Sequence, residues 1–398
     1  MKKLSLYIAG LFVLIAISVY SCKKISGINN NTVVETPFSL YFSDTSGTLF
    51  LTNDGKTLNP VVFPPDGKPC RSLVTSGNNI LWAKDSLYYS TNNGVNFNQS
   101  YDSVYWKPDT TVNNVAINLN QSMLINLPTW GNRVYVASRA PGGASAATNY
   151  MGLVYSDQNG TIGSWSFENT YDTANVGILP VRMYSFAQLT NGYLCGLAFE
   201  VQRVPGIVTG YNLRYERNFY KPAKDQDWRE VTANPDGSGS IYAGNSAGRP
   251  LPPYGTSLTD SSFFTLGHLN NRLIAIDNRG KYGAYYSDDY GANWTAYTGL
   301  PANIPLLCIS APFEQTCLIG TDSAGLFVLN ASTGVWQQNN RGLASNLIVR
   351  NIAFKEAYFK NNTVQKYIFL ATNKGIFESV DGGNSWILTI PGNYVDIY

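Results

Sequence analysis

From Tyr285 to Trp294 the chain reads YYSDDYGANW, and its adjacent acids, Asp288 and Asp289, are the residues that most directly invite chemistry. Two neighbouring carboxylates can act as acid and base or hold a hard cation. A second copy, FESVDGGNSW from Phe377 to Trp386, points elsewhere. The shared pattern is Ser-x-Asp-x-Gly-x-x-Trp: Ser287, Asp289, Gly291 and Trp294, then Ser379, Asp381, Gly383 and Trp386. Asp288 falls outside it, because Val380 takes its place. A residue copied along a chain serves architecture more readily than chemistry. Ser and Asp side chains accept hydrogen bonds from nearby backbone amides in turns, and Gly supplies a backbone angle that costs other residues energy. The Trp then opens the next strand and buries a ring of roughly 150–250 Å². The unit reads as a β-hairpin turn, and Asp289 and Asp381 as its structural acids.

Weaker copies follow the same outline. YYSTNNGVNF keeps Ser90, Gly94 and Phe97 with Asn92 for the acid, VYSDQNGTIGSW keeps Ser156 and Gly160 and reaches Trp165 late, and GLFVLNASTGVW keeps Gly334 and Trp336. The anchors after the turns fall at Leu58, Phe97, Trp165, Trp228, Trp294, Trp336 and Trp386, with spacings of 39, 68, 63, 66, 42 and 50 residues. That period suits four-stranded units. Helical apolar periodicity is hard to find beyond the N-terminus. The two last units read strand by strand: IPLLCISAP, TCLIGTD, GLFVLN and VWQQNN, then LIVRNIAFKE, YIFLATN, GIFESVD and SWILTI.

These residues resemble the Asp-box (BNR) repeat of β-propellers related to sialidases, sortilin-type receptors, xyloglucan hydrolases and photosystem assembly factors. The resemblance implies an all-β fold, a seven-bladed β-propeller of four-stranded antiparallel blades. Six blades is the alternative, with residues 38–62 supplying only outer strands that close the ring. An N-terminal strand pairing with the last blade would remove an exposed sheet edge. The resemblance also places the Asp-box turns, between third and fourth strands, away from the ligand face.

On that opposite face lie the loops between second and third strands and those between blades. The larger insertions fall there: residues 101–120, RAPGGASAATNYMG, EVQRVPGIVTGYN and residues 233–262. Long loops on a rigid ring are where binding usually sits. Charged residues gather at the ends of second strands: Asp85, Arg139, Glu200 with Arg203, Asp277 with Arg279, Asp322 and Lys374. Trp106, Tyr150, Tyr211 and Tyr254 add aromatic platforms. Charges with aromatics suit a glycan or a peptide strand; solvated loop charges are the plainer reading. A sialidase-like activity would need three arginines on a carboxylate, and Arg139, Arg203 and Arg279 carry no motif for it. A xyloglucanase-like activity would need two acids across the cleft, roughly 6.5–9.5 Å apart if inverting. Asp85, Glu200, Asp277 and Asp322 supply acids with no motif to choose among them. The expected function is non-catalytic binding of a glycan or protein ligand; a glycoside hydrolase and an assembly factor for an envelope complex are the alternatives.

The N-terminus carries a targeting signal. Lys2 and Lys3 precede an apolar run from Leu4 to Val19, too short for an ordinary membrane span. It ends Val-Tyr-Ser-Cys, which resembles a bacterial lipobox and implies cleavage before Cys22 and lipid attachment there. An ordinary secretory peptide is the alternative. Lys23 suggests export to the outer membrane. Residues 1–21 are thus read as signal peptide, 22–36 as a flexible tether and 37–398 as the propeller, a monomer touching the membrane through its lipid alone.

Without Lys2 and Lys3 the basic count falls from 28 to 26, equal to the 26 acids, which argues against nucleic acid as a partner. One histidine, His268, and cysteines without zinc-finger spacing argue against a metal site, and no cofactor motif is present. Cys308 and Cys317 lie on two adjacent strands, either as a disulfide or as two separately buried thiols.

Overall fold

Alternating apolar residues, Tyr and β-branched side chains broken by Asn, Asp and Gly drive most of the described residues into short antiparallel strands. The computed structural model describes residues 34–61, 72–83, 87–100, 123–137, 153–168, 182–203, 211–231, 264–313, 316–360 and 362–398. They form seven sheets, each with four strands in meander order, and one of these gains an extra N-terminal strand. The arrangement is a seven-bladed β-propeller. Blades are numbered here along the chain, and strands from the central channel outwards.

Blade one is built from both ends of the chain. Its inner strand is the C-terminal Tyr394–Ile397, paired with Leu40–Asp44, and Leu49–Thr52 and Asn59–Pro60 complete it. Residues 40–60 therefore supply outer strands, as the six-bladed alternative had it, but of a full blade. Val34–Thr36, within the segment read as tether, pairs antiparallel with the far end of the inner strand of blade seven, Val34 opposite Phe359. The N-terminal strand thus covers part of an edge, while the C-terminal strand closes the ring.

Seven apolar clusters fill the seven gaps between blades. Blades seven and one share Phe42, Ala353, Phe369 and Ile397. Blades one and two share Tyr41, Leu49, Ile80 and Trp82. The sequence continues round through Leu81 with Val134, Tyr135 with Phe186, Leu197 with Phe264, Ile274 with Ile319, and Leu318 with Ile368. Each sheet is buried on both faces, which is why the middle of its second strand runs apolar, as in the ILWA of Asn79–Ala83 and the LIAI of Arg272–Asp277.

The Ser-x-Asp-x-Gly turns join third to fourth strands. In blades two, three, five and seven the Ser hydroxyl accepts the amide of the Gly four residues on: Ser90 from Gly94 (2.8 Å), Ser156 from Gly160 (3.0 Å), Ser287 from Gly291 (2.8 Å) and Ser379 from Gly383 (2.9 Å). The hydroxyl in turn donates to Asn92, Asp289 or Asp381 at 2.7–2.9 Å. Those oxygens then accept the amides of Asn96, Asn293 and Ser385. Two successive residues take positive φ, Tyr290 at 60° and Gly291 at 101° in blade five. At Gly160 the glycine is needed twice, because a Cβ there would also overlap Leu81 of blade two. The turns also tie blades together: Gly291 O accepts Asn218 Nδ2 (3.1 Å) and Gly383 O accepts Asn339 Nδ2 (2.7 Å), each from the preceding blade.

Asp288 has a separate role. Arg272, the first residue of its blade's second strand, donates two hydrogen bonds to it (2.7 and 2.8 Å) and lies 4.2 Å from the Tyr286 ring centre. Blade three repeats the clamp. Arg133 grips Asp157 through two bonds of 2.8 Å and stacks 4.1 Å over Tyr155. In blade four the serine position holds Lys221, buried and paired with Glu168 of blade three, which also accepts Trp228 Nε1 at 3.0 Å.

Cys195, Cys308 and Cys317 are free, buried thiols. Cys308 pairs across the strand with Gly320 rather than Cys317, and the two cysteines face opposite neighbours, blade seven and blade five. Alternation along the strands sends their sulfurs to opposite faces of one sheet, which excludes the disulfide.

Candidate binding face

The connections between second and third strands lie at the opposite end of each blade from the Ser-x-Asp-x-Gly turns. On that face one position recurs: the last residue of the second strand caps the loop that follows. In blade five it is Asp277, fully buried, whose two carboxylate oxygens accept the amides of Arg279 (2.9 Å) and Tyr282 (2.8 Å). In blade one Asp44 accepts the amides of Ser46 (2.9 Å) and Thr48 (2.8 Å). In blades six and seven Thr321 and Thr372 hold their loops in the same way through Ala324 and Gly375. Asp277 is therefore a loop former, and it presents Arg279, which is exposed. Asn278 fixes the base of the loop, accepting from Thr265 Oγ1 (2.8 Å) and donating to Leu306 O (2.7 Å) of blade six.

Exposed beside Arg279 are Lys281, stacked 4.7 Å over Tyr282, then Asp322 in blade six and Lys374 in blade seven. Arg350, at the head of the inner strand of blade seven, is spent on structure. It donates to Asn393 Oδ1 (2.6 Å) and to Tyr394 O (2.7 Å), tying blade seven to the closing strand. Burial lowers the pKa of its guanidinium, opposed by the charge of Asp322.

Blade four carries the largest feature of this face. Of the residues expected to form a loop at 200–212, the described ones, 200–203 and 211–212, are strand. Leu194–Arg203 and Tyr211–Lys221 pair from Leu194 opposite Lys221 to Arg203 opposite Tyr211. Glu200, opposite Tyr215, and Arg203 lie on its outer end. Of the other expected site residues, Cys22, Asp85, Trp106, Arg139, Tyr150 and Tyr254 lie outside the described residues. Among the described residues no three His, Cys, Asp or Glu side chains gather as a metal site. His268 sits at the end of an inner strand on the turn-bearing side; burial lowers its pKa, with its ring 3.3 Å from Asn270 O.

The architecture defines the class, a seven-bladed propeller with one raised hairpin. No protein-family model and no curated protein matches the chain. Solved structures do. A puromycin hydrolase S511A mutant is 11% identical over 89% of this chain and 52% of its own, with a TM-score of 0.51. YCF48 bound to D1 peptide is 14% identical over 88% of this chain and 91% of its own, at a TM-score of 0.49. The GH74 xyloglucanase from Xanthomonas campestris is 14% identical over 90% of this chain and 60% of its own, at 0.47. At such identities the likeness concerns the fold alone.

Proposed function

We infer that this protein is a lipid-tethered, monomeric propeller of the cell envelope that holds a glycan or protein ligand on the face bearing Arg279, Lys281 and Lys374. It does so without chemical turnover. The observation that carries this reading is the blade-four hairpin. Its strands of 10 and 11 residues compare with 6 and 4 in blade five. At about 3.3 Å per residue the hairpin stands roughly 13–23 Å above blade five, a wall beside the channel mouth. Glu200 and Arg203 belong to that wall, and the insertions with Trp106, Arg139 and Tyr254 belong to the same set of loops. A wall, exposed cations and aromatic residues suit an extended ligand.

Hydrolysis has less support. Asp277 is fully buried and each of its carboxylate oxygens accepts an amide of its own loop, which fits a structural acid rather than one presented to a substrate. The anchor rests on Cys22 in its lipobox-like context, with the outer membrane as location.

The test is a glycan array run beside protein capture from solubilised envelopes. The expected result is one retained ligand whose affinity falls about tenfold or more when Arg279→Glu and Lys374→Glu are combined, roughly 1.4 kcal/mol. Turnover of a polysaccharide, abolished by Glu200→Gln, would sink the non-catalytic reading. For the anchor, Cys22→Ser is expected to move the protein from the membrane to the soluble envelope fraction.

A further inference from the structure

The turn-bearing face is not uniform. Nine large hydrophobic side chains are exposed among the described residues. Four stand singly in the turns between third and fourth strands of four consecutive blades: Val380 in blade seven, Leu58 in blade one, Val95 in blade two and Ile162 in blade three. Val95 and Ile162 are 65% and 60% exposed. The other five belong to blade seven itself, Tyr358 and Val364 among them. The corresponding turns of blades four, five and six expose Asp225 and Asp227, Asp288 and Asn293, and Ser332 and Thr333 instead. Every turn exposes polar residues, Asp54, Asp157 and Asp381 among them, but only the turns of this one arc add a large exposed hydrophobic. Isolated exposed hydrophobics are ordinary on soluble proteins, but their confinement to one arc is not.

Blade seven also reaches beyond its neighbours at this end. Its first two strands, Val349–Phe359 and Val364–Thr372, have 11 and 9 residues, against 8 and 6 in the adjacent blade six. The hairpin projects about 10 Å further at 3.3 Å per residue. Tyr358 and Val364 are directly opposed on one face of it, and Lys360 is exposed at its tip.

The chain enters the fold at the same place. Val34–Thr36 runs antiparallel along Tyr358 and Phe359, so the described chain begins beside the hairpin tip. Cys22 lies 12 positions before Val34, a stretch of chain that spans at most about 40–43 Å even when fully extended. A lipid on Cys22 would hold this end of the propeller close to a bilayer.

We propose that the arc of Val380, Leu58, Val95 and Ile162, with the Tyr358–Val364 hairpin, rests on the membrane surface. The ring then stands with its raised blade-four hairpin facing away from the lipid. The chemistry suits an interface. Single apolar side chains and a tyrosine enter the headgroup boundary, and Lys360 meets anionic headgroups. The inference rests on the lipid-anchor reading.

The test uses the full lipidated chain in vesicles of phosphatidylethanolamine and phosphatidylglycerol, with nitroxide labels on cysteines introduced one at a time in a Cys70→Ser background. Cys195, Cys308 and Cys317 stay unlabelled, because burial pushes each thiol up to about 12. Labels at 95, 162 and 364 are expected to collide with oxygen more than with a water-soluble nickel chelate. Labels at 279 and 332 are expected to show the reverse. Water-like behaviour at 95, 162 and 364 in a chain that still floats with the vesicles overturns the proposal and leaves the anchor standing; the patch would then belong to a protein partner or to none. A chain that does not float removes the anchor reading, and this proposal with it.

Discussion

At the scale of single residues, the acids that first suggested catalysis are turn chemistry. Asp381 shows it most directly. A hydrogen bond from Ser385, with further bonds from Ser379 and the amides of Asn384 and Ser385, holds its carboxyl down to about 2. Its folded pKa lies below the unfolded value of about 3.9, so its contribution is complete above that value and is lost as pH falls through about 2. Asn92 occupies the same position in blade two and accepts the same bonds, from Ser90 (2.9 Å) and Asn96 (3.0 Å). Asp381→Asn, which keeps an acceptor oxygen but loses the charge, is therefore expected to lower neutral-pH stability modestly. It should flatten the loss of stability between pH 4 and 2, followed by chemical denaturation at stepped pH; an unaltered acid limb would refute the assignment. Ser287→Ala, which orphans the buried amide of Gly291, is expected to cost about 1–3 kcal/mol in the same experiment. The turn acids were legible because the letters repeat. Asp277 was not, because the position it fills holds Asp44, Thr321 or Thr372 elsewhere, and different side chains doing one job leave no repeated letter. The Arg272–Asp288 and Arg133–Asp157 clamps went unread for another reason. Their partners lie 16 and 24 residues apart, although Tyr-Ser-Asp recurs in both blades after an Asn-Arg pair.

At the scale of elements, what separates the blades is strand length and what replaces the serine turn. Blade four exchanges Ser for Lys221 and spends it on blade three, so this gap is stapled by buried charge where others use a glycine carbonyl. Removing Glu168 would strand Lys221, 2% exposed, without its carboxylate. Glu168→Ala is expected to lower stability by about 3–5 kcal/mol, whereas Lys221→Met, which leaves Glu168 its bond from Trp228, should cost clearly less. Equal losses in denaturant titrations would contradict this ranking. The blade-four wall was not legible because EVQRVPGIVTGYN contains Pro and two Gly, which signal a loop, while its described ends, residues 200–203 and 211–212, continue the hairpin strands. The strands of blades six and seven were legible to within a few residues, since each is a short apolar run bounded by Asn, Asp or Gly.

At the scale of the whole molecule, seven gaps filled by seven clusters make the ring cooperative, and its closure depends on very little chain. The closing strand, Tyr394–Ile397, contributes Tyr394 and Ile397 to the core between blades seven and one, and Tyr398 exchanges backbone bonds of 2.8 and 2.9 Å with Tyr41. Truncation after Gly392 is expected to yield a chain that is digested by protease within blades one and seven, with other blades more resistant. Native-like resistance throughout would show that closure lies elsewhere. Blade number could be read from anchor spacing, but NYVDIY carries no turn signal of its own and its partner lies some three hundred and fifty residues earlier in the chain. Because the innermost strand of the first blade follows every other described strand in the chain, the circle stays open until Tyr394–Ile397 has left the ribosome. Every earlier blade must wait beside an unfilled gap, so the last few residues made decide when the ring becomes one body.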